Sequence, residues 1–173
     1  RRRYRSARVL GILRRVRARI PTAALTTDII VGFPGETEED FQETLRVVET
    51  VGFAGAYTFA YSVRPGTPAA EMEAQVPEDV KTDRLHRLQA LIAAQQRAFN
   101  ASFVGKTLDV LLEKPGRLSG QLVGKSPYLQ TVQVMAPPEL IGSIVPLAIV
   151  DIGTNTLFGA LADQPATPVF AAA

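Results

Sequence analysis

The sequence predicts an α/β part followed by an all-β part. The first hundred residues alternate helix-type and strand-type patterns, whereas short β-type runs separated by Pro and Gly turns follow Gly105. With 173 residues, 46% of them hydrophobic and 21% charged, the chain has the length and composition of a folded protein of one or two domains. This composition argues against collagen, intrinsic disorder and a membrane span.

The first predicted helix covers about Ser6 to Arg19 and ends before Pro21, because a residue that precedes proline is disfavoured in the α region. Nine arginines and no acid lie within the first 27 residues, so the arginines of this helix are expected to face solvent or a polyanion. Its apolar residues recur with the helical period and predict docking on a core: Val9, Ile12, Leu13, Val16 and Ile20. Residues 24–33 form a β-branched run, which predicts a strand buried on both faces of a parallel sheet.

A Gly-Phe-Pro-Gly-Glu turn comes next, and Thr37 is placed to cap a helix that ends at Gly52. The second strand runs from Gly55 to Ser62, so strand, helix and strand predict a right-handed βαβ unit. A long helix then starts at Pro77 and runs towards Gly105.

Five β-type runs, at about 107–112, 118–123, 129–135, 144–152 and 156–162, predict a small OB-like barrel. We therefore expect domains at residues 1–104 and 105–163 and a tail at 164–173. Two parallel strands can neither close a barrel nor cover both edges of a sheet, so residues 1–104 are expected to be the final part of a larger α/β domain. The first residue is not methionine, which agrees with an internal beginning.

The residue types limit the chemistry. Without cysteine, these residues offer no disulfide, no thiolate zinc site, no iron–sulfur ligand and no thiol nucleophile. The single histidine, His86, leaves neither an imidazole metal cluster nor a hydrolase triad. We therefore assign no catalytic residue and no metal ligand to this chain.

Two loops at the carboxyl ends of the predicted parallel strands are candidate ligand sites, because ligands of such sheets bind at that edge. The first contains the Gly-Pro-Gly turn before Thr37, and the second contains Arg64, which can bind phosphate or carboxylate. A tight turn and a solvated arginine are the structural alternatives for these loops.

Two segments are candidates for RNA contact. The basic first helix is one, with a solvated face as its alternative. In the other, Lys125 lies beside Tyr128, which either stacks a base or packs at a turn. Residues 105–165 as a whole contain four basic and five acidic residues, so their charge does not support RNA binding across the entire barrel.

Three motifs resemble the C-terminal part of the radical-SAM methylthiotransferases, most closely the tRNA-2-methylthio-N6-dimethylallyladenosine synthases. They are LTTDIIVGFPGETEEDF at 25–41, FAYSVRPGTPA at 59–69 and GKSPYLQ at 124–130. The resemblance spans roughly residues 4–162. It implies that residues 1–104 are the last strands and helices of a radical-SAM partial TIM-type barrel, and that the small barrel is a TRAM domain that contacts the anticodon stem-loop of tRNA.

The resemblance also implies site residues. Those expected around S-adenosylmethionine are Thr26, Asp28, Ile30, Gly32, Pro34, Gly35, Glu36, Phe59 and Tyr61. The residues expected at the substrate or tRNA include those of the two RNA-contact segments; they are Arg64, Gly66, Thr67, Arg14, Arg15, Lys125 and Tyr128.

The family reaction uses S-adenosylmethionine and two 4Fe-4S clusters to place sulfur on C2 of the modified adenosine next to the anticodon. The cluster cysteines of the family are missing from this chain. The cluster ligands are therefore expected in an N-terminal remainder of the enzyme, and the chain alone is expected to be inactive.

Two alternatives stay open at this point. The chain could come from a sister enzyme that acts on threonylcarbamoyladenosine or on a ribosomal protein, or it could be a cysteine-free RNA-binding accessory module. No signal-peptide pattern is present, so a cytoplasmic location is the default expectation.

Overall fold

The computed structural model describes residues 6–161, and the chain divides into two compact units, residues 1–96 and 97–173. The elements of the first unit are α1 (Ser6–Arg19), β1 (Thr26–Val31), α2 (Glu38–Val51), β2 (Gly55–Ala60), a 3-10 turn (Pro68–Glu71) and most of α3 (Glu78–Ala101). Each predicted helix and strand of this part is present, with bounds close to those expected. The domain boundary near residue 104 stays a prediction, and the expected tail at 164–173 lies outside the described residues.

The ends of α2 follow from the local sequence. The Thr37 hydroxyl accepts a hydrogen bond from the Asp40 amide, and the Asp40 carboxylate accepts one from the Thr37 amide, so the two residues form a capping box. At the other end, Gly52 has a φ of 60° and its amide donates to the Val48 carbonyl. This left-handed conformation suits glycine and ends the helix.

β1 and β2 form a parallel pair in which Thr26 lies opposite Gly55 and Val31 lies opposite Ala60. The helix side of this pair packs on a core formed by Val31, Phe41, Val48, Val51, Phe53, Leu88 and Ile92. The expectation that residues 24–33 are buried on both faces is wrong. Thr26, Asp28 and Ile30 alternate with the inward residues and are exposed, because the helices described in this unit cover one face of the two strands.

The expected apolar stripe of α1 is also partly wrong. Leu10 and Leu13 pack against the core, but no residue of the helix is fully buried, and Ile12 and Ile20 are exposed. Val9 lines a cavity of about 200 Å³ between α1, β1 and α2. The helix therefore docks on α2 without the close packing that its periodicity predicted.

The second unit contains the predicted five-stranded barrel. Its strands are β3 (Thr107–Pro115), β4 (Gln121–Lys125), β5 (Thr131–Met135), β6 (Ile144–Ile152) and β7 (Thr156–Leu161), in the closed order β3-β4-β5-β7-β6. β5 and β7 pair in parallel and the other neighbours pair antiparallel. The core includes Val110, Leu112, Leu122, Val132, Val134, Leu147, Ile149 and Leu157.

Gly124 shows how closely the barrel backbone packs. A Cβ added there would lie 2.2 Å from the Leu111 carbonyl oxygen. Only glycine therefore fits at this position, where β4 pairs closely with β3. Across residues 6–161, no helix is both long enough and apolar enough to cross a bilayer.

Candidate functional site

The open face of the β1–β2 pair is the first component of the candidate site. Asp28 lies opposite Tyr57, and Ile30 lies opposite Phe59. The exposed fractions of Ile30, Tyr57 and Phe59 are 57%, 75% and 51%. The Asp28 carboxylate has no hydrogen-bond or ion-pair partner within the described range, so this face presents apolar side chains around an unpaired carboxylate.

The loop after β1 is a rigid turn. Gly32 and Gly35 have φ values of 72° and 83°, which side-chain-bearing residues rarely adopt. The Gly32 amide donates to the Glu36 carboxylate at 2.9 Å, and the Gly35 amide donates to the Ala74 carbonyl at 2.8 Å. Pro34 is buried beneath the turn. These bonds fix the backbone that leads into α2.

Glu36 is also held by Arg84 of α3. One Arg84 nitrogen, Nη1, donates to the Glu36 carboxylate at 2.8 Å and to the Glu36 carbonyl at 3.2 Å. The side chains of Arg84 and Glu36 are 5% and 14% exposed, so the ion pair is largely buried. The carboxylate expected near S-adenosylmethionine thus already stabilises its own loop.

Two exposed acids at the start of α2 have lowered pKa values. The hydrogen bond from Arg87 is the largest cause for Glu38, whose pKa lies below its ordinary value. The backbone amide and then the hydroxyl of Thr37 lower the pKa of Asp40. Both carboxylates are thereby favoured in the charged form beside the positive end of the helix dipole.

Lys81 packs beneath the same loop. Its side chain is almost fully buried, and its Nζ donates to Glu78 at 2.7 Å. A Cβ at Gly32 would lie 2.4 Å from the Lys81 Cγ, so the missing side chain at Gly32 makes room for the lysine. Nζ also lies 5.5 Å from the centre of the Tyr61 ring, and the Tyr61 hydroxyl is buried without a hydrogen-bond partner among the residues described.

The loop after β2 lies at the same sheet edge as the Gly32–Glu36 loop, because β1 and β2 are parallel. Phe33 and Tyr61, one from each loop, make an edge-to-face contact with ring centres 5.3 Å apart. The Thr67 hydroxyl donates to the Arg64 carbonyl at 2.8 Å, and Gly66 has a φ of 80°. Arg64 itself is exposed. The structure therefore brings the two candidate loops together, as the strand order predicted.

Arg14 and Arg15 lie on the exposed side of α1. Arg17 differs, since its guanidinium donates to the Gly52 carbonyl at 2.9 Å and so binds the C-terminal end of α2. The basic helix thus combines solvent-facing cations with one arginine that stabilises the fold.

In the second unit, the 126–130 loop turns Tyr128 inward. Its ring packs against Phe99 and Phe103, with centres 5.7 and 5.0 Å away. The Gln130 amide donates to Asn100 at 2.6 Å, and the Ser126 hydroxyl donates to Gln130 at 3.0 Å. Of the two roles that the sequence left open for Tyr128, packing is the one that these contacts provide.

Sequence reasoning missed Lys81 and Arg84. Both lie on α3, far along the chain from the loop that they hold. Lys81 stands four residues before Leu85 and Arg84 four before Leu88, so the helical period, which places both on the buried face, was the signal that could have found them. Among residues 6–161, no group of three or more His, Cys, Asp or Glu side chains could hold a metal ion.

Comparison with known proteins assigns the barrel first. The model of the TRAM domain family matches residues 101–162, so the chain contains a TRAM domain. Over 161 residues, 93% of its length, the chain is 50% identical to the tRNA-2-methylthio-N(6)-dimethylallyladenosine synthase of Agrobacterium fabrum (strain C58 / ATCC 33970). The resemblance that the three motifs indicated is therefore confirmed. The alignment covers 35% of that relative, so the chain spans about a third of its length.

Proposed function

We propose that this chain is the C-terminal part of a tRNA-modifying methylthiotransferase that adds a 2-methylthio group to N6-isopentenyladenosine next to the anticodon. The single observation that carries the proposal is the 50% identity to a synthase of that name over 93% of the chain. The TRAM domain at residues 101–162 agrees with an RNA substrate.

In this proposal, residues 1–104 form the last strands of a radical-SAM partial barrel, and the open face of β1 and β2 lines its interior. The residues on that face fit S-adenosylmethionine. Ile30 and Phe59 offer apolar surface for an adenine ring, and the unpaired Asp28 carboxylate can accept hydrogen bonds from hydroxyl or amino groups. The resemblance to the family implies that bound S-adenosylmethionine would be the reactant whose carbon–sulfur bond is cleaved reductively.

The loop residues would position this ligand through the backbone. Because Glu36 is bound to Arg84 and to the Gly32 amide, it would set the shape of the loop rather than exchange partners with a ligand. Arg64, Gly66 and Thr67 would lie at the mouth of the site, where the exposed arginine can bind a phosphate of the substrate.

The residues of this chain do not fit the iron–sulfur clusters of the family, since the chain has no cysteine. We therefore assign the cluster ligands to an N-terminal remainder of the enzyme and expect the isolated chain to be inactive. If the isolated chain, reconstituted with iron and sulfide, bound iron and cleaved S-adenosylmethionine, that expectation would be overturned.

The tRNA would be contacted by both parts of the chain. Arg14 and Arg15 are exposed on α1, and Lys125 lies on the barrel. Salt-dependent binding of an anticodon stem-loop by the isolated chain would agree with these contacts.

The decisive experiment is mass spectrometry of tRNA from a strain that lacks the complete gene. Loss of the 2-methylthio group from isopentenyladenosine, restored by the intact gene, is the expected result. Persistence of that group, with loss from threonylcarbamoyladenosine or from a ribosomal protein, would favour a sister enzyme.

A cysteine-free RNA-binding accessory module is the second candidate, and the missing cysteines favour it. The two candidates differ in whether the gene encodes a cysteine-containing segment upstream of Arg1. A start codon near Arg1 would support it, whereas an upstream reading frame with a CxxxCxxC segment would exclude it.

A further inference from the structure

Lys81 is a buried cation whose charge the fold does not require. Its side chain is 3% exposed, and within residues 6–161 its Nζ donates to Glu78, whose side chain is 85% exposed. Lys81 is also the fourth residue of α3, near the end of the helix where the dipole disfavours a positive charge. An apolar side chain of the same length would fill this space without the loss of ammonium hydration. The charge of Lys81 therefore has a role other than stability.

The stem of Lys81 packs on the loop after β1. A Cβ added to Gly32 would lie between 2.4 and 3.3 Å from the Lys81 Cβ, Cγ and Cδ atoms, so the Gly32 α-carbon rests directly on the stem. The same Gly32 has a φ of 72° and donates its amide to Glu36. An unbranched stem is what this contact needs, and methionine would supply one without a charge.

The ammonium end of Lys81 reaches the loop after β2. Its Nζ lies 5.5 Å from the centre of the Tyr61 ring, which is within the range of a cation–π interaction. The Tyr61 amide donates to the Val31 carbonyl at 2.8 Å, so the backbone of Tyr61 is fixed to the end of β1. A single side chain of α3 thus contacts both loops at the edge of the sheet where ligands bind.

Lys81 is the firmer of the two described ring contacts of Tyr61. The other is the edge-to-face contact with Phe33, whose side chain is exposed. The Tyr61 hydroxyl has no hydrogen-bond partner among the residues described and so does not hold the ring in place. Attraction between a cation and a ring strengthens when the cation is removed from water, as Lys81 is.

We propose that Lys81 is a positioning residue for the ligand that binds at these two loops. Its stem supports Gly32, and its ammonium group fixes the Tyr61 ring against that ligand. Lys81 acts through these two residues and does not touch the ligand, because it is buried beneath the loop. The proposal rests on the proposed function for the identity of the ligand as S-adenosylmethionine.

Lys81→Met in the intact enzyme tests the role of the charge, since methionine keeps the unbranched stem. Equilibrium dialysis should show that affinity for S-adenosylmethionine falls about 5- to 30-fold, the range for loss of a desolvated cation–π interaction. In assays of turnover, KM for S-adenosylmethionine should rise by a similar factor while kcat changes less.

Urea denaturation of the 173-residue chain separates this role from a structural one. Lys81→Met should leave the free energy of unfolding unchanged or raise it, because a buried ammonium group is replaced by an apolar one. A lysine that served only the fold would instead give a less stable chain.

Two further variants of the intact enzyme locate the effect. Lys106→Met is the matched control, because the Lys106 Nζ also lies near a ring, 5.7 Å from the centre of Phe103, but in the second unit. Its affinity for S-adenosylmethionine should equal that of the parent enzyme. In a Tyr61→Leu background, Lys81→Met should change the affinity by less than about twofold, since the ring on which the ammonium acts is gone.

Equal affinity of Lys81→Met and the parent enzyme would overturn the proposal while leaving the proposed function intact. A loss of affinity that is the same with and without Tyr61, or that Lys106→Met reproduces, would also overturn it, as would destabilisation of the chain by Lys81→Met. Failure of the proposed function would show separately, as persistence of the 2-methylthio group in tRNA from the deletion strain.

Discussion

Arg84→Met tests whether α3 holds the loop after β1. The substitution keeps an unbranched apolar stem near the Phe41 ring, which lies 5.6 Å from the Arg84 guanidinium carbon. It removes the donors to the Glu36 carboxylate and carbonyl and to Glu38, which lies at 3.4 Å. Glu36 is left as a largely buried carboxylate whose described donor is the Gly32 amide.

Removing one partner of a buried ion pair costs about 3–5 kcal/mol of unfolding free energy. The Glu36 side chain is 14% exposed and retains the hydrogen bond from the Gly32 amide. We therefore expect the lower end of this range, about 3 kcal/mol. A change of that size corresponds to about 150-fold in the folding equilibrium constant.

Urea denaturation followed by circular dichroism at 222 nm measures this loss, because the helical signal reports mainly on α1, α2 and α3. Arg87→Met is the matched control. Its side chain is 37% exposed and pairs with exposed Glu38 and Asp83, so its loss should cost about 1 kcal/mol or less. Equal losses in the two variants would refute the reasoning. Arg84→Met combined with Glu36→Gln should recover part of the loss, since no buried charge then stays unpaired.

Two further results are expected. Gly124→Ala should destabilise the barrel by about 3 kcal/mol in urea denaturation, because the new Cβ would clash with the Leu111 carbonyl oxygen, a backbone atom that cannot easily shift. Gly11→Ala is the contrasting variant: it lies on a helix and its Cβ would meet nothing within 4 Å, so it should stabilise the chain by up to about 1 kcal/mol in the same assay. Thr37→Val should raise the pKa of Asp40 towards 3.8, as followed by NMR titration of its carboxyl carbon, since the hydroxyl hydrogen bond is lost; an unchanged pKa would mean that this hydroxyl does not contribute.

The sign of the pH effect follows from the same shift. The pKa of Asp40 is lower in the folded chain than in the unfolded chain, so the charged carboxylate stabilises the fold above the unfolded pKa. This contribution decreases as pH falls through the lower folded value. Thr37→Val should therefore narrow the stability difference between neutral and acidic pH.

Local sequence signals predicted most of the fold. The Thr37 cap, the Gly52 stop and the five barrel strands each depend on a few neighbouring residues, and the structure has all of them. The exposure of Ile30 could not be predicted in the same way. A β-branched run is compatible with one or two buried faces, and the neighbouring elements decide which occurs.

The contacts of the candidate site depend on long-range pairs that no local pattern reveals. Arg84 and Glu36 are 48 positions apart. The helical period places Arg84 on the face of Leu88, but no local pattern identifies Glu36 as its partner. The packing of Tyr128 likewise depends on Phe99 and Phe103, which precede the barrel strands. The two candidate loops came together as expected because parallel strand order alone determines where their carboxyl ends lie.

The position of β7 in the barrel has a consequence for synthesis of the chain. This strand is the last of the five to be translated, yet it pairs with both β5 and β6. Until Leu161 has left the ribosome, those two strands have unpaired edges that can pair with other chains. A stop codon before Thr156 would therefore give an open, aggregation-prone sheet instead of a smaller closed barrel.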